Sequence, residues 1–257
     1  MTPIKIVVRI TLIGLLLALL PFAFPLGHDQ QQVMTPRAEA QIDTSPSPQR
    51  APFYVPPHLP TSKQGGPKGR VGGGTRSDSN LPILSALAPD HVGLTAQAQP
   101  SLFWYLSSTT PFPIEVVIMN PQQTAPLFVK RFHPPFTPGI QRVRLADDAV
   151  SLATGVPYEW FIALIPDPTQ RSKDLVARGL IERTKLPEAL QTRLAQAREG
   201  EAAALYAEAG LWYDALTALA DLIEATPQET QFRQQRAALL KQVGLPEAAA
   251  YDKQLVK

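Results

Sequence analysis

The chain has 257 residues, 44% of them apolar, with 27 prolines and a formal charge of +2 at neutral pH. So small a basic excess excludes the charged face that nucleic-acid-binding domains carry, and no nucleic-acid partner is expected. Cysteine is absent, which excludes disulfides, thiolate metal sites, a catalytic thiol and a lipid-modified N-terminal cysteine.

In chain order, Lys5 and Arg9 precede an apolar run from Ile10 to Phe24. A positive segment followed by such a run predicts an export signal over residues 1–40. Ala38 and Ala40 form the best processing site and place the mature N-terminus at Gln41. The run is shorter than the ~20 residues of a membrane-spanning helix, so membrane association is expected only if the signal stays uncleaved. The expected location is the periplasm or cell envelope.

Residues 41–80 are rich in Pro and Gly and read as a flexible arm, since few side chains there offset the entropy of ordering. Phe53, Tyr54 and Val55 are the exception and are expected to pin it at one point. Arg70 and Gly72-Gly73-Gly74-Thr75-Arg76 form a speculative anion nest, because successive amides in a Gly-rich turn converge on negative charge. No Lys stands where a phosphate loop needs one, and Leu81-Pro82 replaces the helix that should follow.

Residues 81–184 are expected to form a β-sandwich. Strands are predicted at Ser101–Leu106, 114–119, 127–132, 140–145, 158–165 and 175–183, with Pro, Gly and Asn between them. Val143 and Leu145 alternate with Arg142 and Arg144, which predicts one dry and one wet face. Tyr158 follows Leu152, Gly155 and Pro157 in the manner of a tyrosine corner, which points to an immunoglobulin- or fibronectin-III-like antiparallel sandwich. Asp167, Arg171 and Asp174 read as a turn with a local ion pair. No nucleophile elbow and no metal-ligand spacing occurs, and His28, His58, His91 and His133 are scattered. No catalytic residue, metal or cofactor is therefore expected.

Residues 185–257 read as a helical tail. Ala203, Tyr206, Gly210 and Ala215 recur 34 residues later as Ala237, Leu240, Gly244 and Ala249, and 34 is the tetratricopeptide period. About two units fit, too few to bury a continuous core alone. Gly200, Ala204, Ala207 and Trp212 are therefore expected to pack against the sandwich. The whole reads as α+β.

Five landmarks taken together resemble the cyanobacterial family called domain of unknown function 928. They are Gly72 to Arg76, Phe103-Trp104-Tyr105-Leu106, Tyr158-x-Trp160, Asp167 to Ser172 with Gly179-Leu-Ile-Glu-Arg183, and Tyr206 to Leu216. The likeness runs from about Pro67 to Leu245. It implies an exported protein, often encoded among tetratricopeptide-repeat proteins, with no established activity. Some members have a Cys near the position of Pro166, so a universal thiol role is doubtful. The expected function is a non-enzymatic interaction or scaffold module with a protein partner in the envelope. A polysaccharide binder using exposed Trp104, Trp160 and Trp212 is the alternative, and a hydrolase with converging acids is the second.

Overall fold

β3 (Ser101–Leu106) is buried along its whole length, and the architecture follows from that. A strand with both faces covered needs a layer on each side. Its even residues Leu102, Trp104 and Leu106 face a second sheet, as the 5.8 Å contact between the Trp104 and Phe132 rings shows. Its odd residues face the helices: Tyr105 meets Tyr251, and Arg142, which lies over the Phe103 ring, pairs with the helix residues Asp221 and Glu224. The computed structural model describes residues 51–58, 60, 69–72, 81–198 and 200–256, all within one unit, Pro46–Lys257. The predicted export signal, including Ala38 and Ala40, lies outside the described residues.

The smaller sheet has the order β1 (Leu84–Ala86), β3, β6 (Gly139–Arg144), all antiparallel. The larger has the order β2 (Gly93–Thr95), β8 (Leu175–Arg183), β7 (Pro157–Leu164), β4 (Ile114–Met119), β5 (Phe128–Phe132). Period-two alternation builds its inner face in rows. Ile114, Leu164 and Leu175 lie side by side, then Val116, Ile162 and Ala177, then Ile118, Trp160 and Gly179. Gly179 leaves the space that the indole fills, since a Cβ there would stand 2.5 Å from the Trp160 ring.

The six predicted strands are present within a residue at each end. Two were not predicted, β1 and β2, each of three residues and too short for a periodic signal. The all-antiparallel expectation is corrected, because β2 pairs with β8 in parallel. The Ala153 amide donates to the Tyr158 hydroxyl at 3.2 Å, the local tie that the Leu152–Tyr158 spacing anticipated.

Five helices follow among the described residues: α1 (Glu188–Ala195), α2 (Glu201–Glu208), α3 (Trp212–Ala225), α4 (Thr230–Gln242) and α5 (Pro246–Gln254). α2 pairs with α3 and α4 with α5, and the turn inside each pair holds a glycine at φ +76°, Gly210 and Gly244. That left-handed backbone suits glycine because it has no Cβ to clash. Among the described residues, no helix is long and apolar enough to cross a membrane.

α3 meets β2 and β3, and α5 meets β6. The wet face expected of β6 is therefore covered: Arg142 pairs with Asp221 and Glu224, and Arg144 with Glu224, all from α3. The expectation that Gly200, Ala204 and Ala207 pack on the sandwich is also corrected. Ala203 and Ala207 are buried and Ala204 only partly so. α2 packs on α1 and α3, because the larger side chains that fill the sheet surface are on α3.

Candidate functional site

The Pro-rich arm, expected to be flexible, is held by the fold where it is described. At 69–72 it becomes an edge partner of the smaller sheet: Val71 bridges Ser85, Gly72 N–H donates to Leu84 O, and Ala86 N–H donates to Arg70 O. Arg178 N–H on β8 also donates to Gly69 O, so this segment touches both sheets. At 52–58 the chain is an extended strap. Pro52 and Tyr54 turn inward, while Phe53 is 61% exposed and Val55 45%. Proline has no amide to donate, and the two amides between the prolines that face protein are both used. Tyr54 N–H donates to Gln242 Oε1 at 3.0 Å and Val55 N–H to Ala207 O at 3.1 Å.

Beneath the strap lies a buried polar node. His91 Nδ1 is 2.9 Å from Val92 O, and a carbonyl only accepts, so Nδ1 carries the hydrogen. Nε2 is then the acceptor for the Tyr54 hydroxyl at 3.2 Å. Burial, reinforced by the nearby Tyr213 and Asp90, pushes the Tyr54 phenol far above its ordinary range, so it remains a donor. The Tyr54 ring stacks on His91 and meets Trp212 edge-on at 5.0 Å.

The first turn of α3 completes the node with three consecutive side chains. Trp212 Nε1–H donates to Leu87 O at 2.9 Å. Tyr213 accepts from Trp160 Nε1–H at 2.8 Å and donates to Leu180 O at 2.9 Å. Asp214 Oδ2 accepts from Ala96 N–H at 3.0 Å, while Oδ1 is buried without a hydrogen bond. Desolvation pushes the Asp214 carboxyl up to about 6, although its bonds to Ala96 and Thr95 hold it back.

Two hollows flank Phe53. One, of about 620 Å3, is bounded by Phe53, Tyr54, Arg70, Asp90, His91 and Gln242. The other, of about 730 Å3, is bounded by Pro52, Phe53, Ala238, Lys241, Gln242 and Lys253. Arg70, in the wall of the first hollow, acts as a strut, its Nη1 donating to Ala88 O at 3.1 Å and to Val243 O at 2.7 Å. The second bond satisfies a carbonyl just past the end of α4, where a cation is favoured.

Of the proposed anion nest, the structure thus places Arg70 at a hollow and commits the Gly72 amide to β1. Gly73, Gly74, Thr75 and Arg76 lie outside the described residues. The turn after β7 holds the predicted ion pair, Arg171 Nε to Asp174 at 2.6 Å. Arg171 also reaches Glu115, whose carboxyl is held below its ordinary range first by that bond. Among the described residues, Asp90 is the only carboxylate in the walls of either hollow. Among the described residues no group of three His, Asp or Glu is placed to hold a metal. Trp104, Trp160 and Trp212 are 2%, 0% and 0% exposed, so they do not form a sugar-stacking platform.

Comparison with known families matches residues 71–252, well over half of the chain. The chain belongs to the family described as Domain of Unknown Function (DUF928). No curated protein matches it. The DUF928 span takes in both sheets and nearly all of the helical layer, including the Trp212-Tyr213-Asp214 node. The strap and Arg70 precede it, so one wall of the two hollows comes from outside the matched DUF928 residues. The sequence pointed to Phe53, Tyr54 and Val55 as an anchor. It gave no sign of Gln242, Lys241 or Lys253 beside them, because these lie on two distant helices, α4 and α5, with no local spacing to read.

Proposed function

We propose that this DUF928 protein is an exported, non-enzymatic interaction module of the cell envelope. The observation that carries the reading is the strap: Phe53 and Val55 are held outward while Tyr54 is locked beneath them. An apolar side chain fixed in water between two hollows is already ordered for contact, so a partner that covers it gains burial at little cost in entropy. The immunoglobulin-like reading of the sandwich is supported by the Ala153–Tyr158 tie. The tetratricopeptide-like reading of the helices is supported by the paired packing and by Gly210 and Gly244 at one repeat spacing. Export rests on the apolar run after Lys5 and Arg9.

A C-terminally tagged full chain, purified from the envelope fraction of its expressing cells, tests the proposal. Its intact mass should begin at Gln41, and co-purifying proteins should be lost with Phe53→Ser while the melting temperature stays unchanged. A mass that includes Met1 would replace the cleaved signal with an anchor. Identical recovery from wild type and variant would remove Phe53 as the contact and the interaction reading with it.

A further inference from the structure

We infer that the groove crossing the strap takes an extended, acidic segment of another polypeptide, with an apolar residue set against Phe53. The inference rests on the interaction reading above and adds the chemistry of the partner. The two hollows share Phe53 and Gln242 as lining residues, so they adjoin there, and the surface running across both is the groove of this inference. Among the described lining residues three are cations, Arg70 in one hollow and Lys241 and Lys253 in the other, and one is an acid, Asp90. None of the three meets a carboxylate among the described residues. Arg70 directs Nη1 to two neutral carbonyls, and among the described residues its Nε and Nη2 have no hydrogen-bond partner. Gln242 commits Oε1 to the strap, and among the described residues its amide hydrogens have no partner.

The groove therefore offers unused donors and positive charge at both ends and apolar walls between, from Pro52, Phe53 and Ala238. A chain with carboxylates spaced around one hydrophobic side chain satisfies all three features. A polyuronate supplies the charge but no apolar group for Phe53, and is the competing occupant.

Fluorescence anisotropy of the full-length protein decides between them. The probes are a labelled peptide of alternating Glu and Leu with a central Phe, the same peptide with Gln for every Glu, and labelled oligogalacturonate. The Glu peptide should bind on the order of tenfold more tightly than the Gln peptide, and weaken as salt screens the charges. Lys241→Glu with Lys253→Glu should erase that preference. Both lysines are exposed, and a second pair, Lys241→Gln with Lys253→Gln, should halve the preference if charge reversal perturbs the helix ends. Equal binding of Glu and Gln peptides, or tighter binding of oligogalacturonate, would overturn the inference. If Phe53-dependent capture persists alongside equal peptide binding, the interaction reading stands and the acidic partner falls. If neither depends on Phe53, both fall.

Discussion

Asp214 is the residue at which burial and charge are most opposed. The residue is 3% exposed, its Oδ2 accepts from Ala96 and its Oδ1 has no hydrogen-bond partner among the described residues, so folding raises its affinity for a proton. Its value in the fold is raised from 3.8 to about 6. The unfolded chain binds this proton less tightly, so the stabilising contribution is complete below the ordinary value and is lost as pH rises through about 6. The loss is on the order of 2–3 kcal/mol. Urea melts of the wild type should shift to lower midpoints across that window. In Asp214→Asn that part of the pH dependence should disappear, and the variant should be the more stable form at neutral pH. Parallel pH profiles for the two proteins would show that the carboxyl is not perturbed.

At the scale of elements, α4 and α5 are joined by an ion pair from which water is almost fully excluded. Arg236 donates through Nε and Nη2 to both oxygens of Asp252 at 2.7 Å, with side-chain exposures of 9% and 0%. Removing one partner strands the other charge, whereas removing both exchanges it for packing. Asp252→Ala should lower stability by about 3–5 kcal/mol, read as a lower thermal midpoint. Arg236→Met combined with Asp252→Leu should recover most of the loss. A double variant as unstable as the single one would mean that geometry, and not the stranded charge, sets the cost. The pair was not legible in the sequence. Arg236 and Asp252 are ordinary helix residues until the turn at Gly244 folds the two helices together.

For the whole molecule, the first turn of α3 decides whether helices and sheets are one cooperative unit. Tyr213 is fully buried and links Trp160 on β7 to Leu180 on β8. Tyr213→Phe leaves an indole N–H and a carbonyl without that partner, a cost of about 1–3 kcal/mol. Hydrogen exchange read by mass spectrometry should show protection falling together in β7, β8, α4 and α5. Loss confined to the helices would show two units that unfold separately.

Six strands and the helical region were legible in the sequence because their signals are spacings along the chain, as in the alternation of Val143 and Leu145 with Arg142 and Arg144 or the recurrence of Ala203, Tyr206, Gly210 and Ala215 after 34 residues. Gly210 and Gly244 likewise announce their turns, since the left-handed backbone is a property of the residue itself. The Tyr158 tie was legible for the same reason: both ends lie within one short stretch. Tertiary structure alone decided the parallel pairing of β2 with β8, the pairing of Arg142 and Arg144 with α3, and the meeting of Phe53 with Arg70 at one hollow and with Lys241 and Lys253 at the other. These contacts join residues far apart in the chain, where sequence spacing carries no record of distance. Their energies come from desolvation and packing that exist only once the layers have closed.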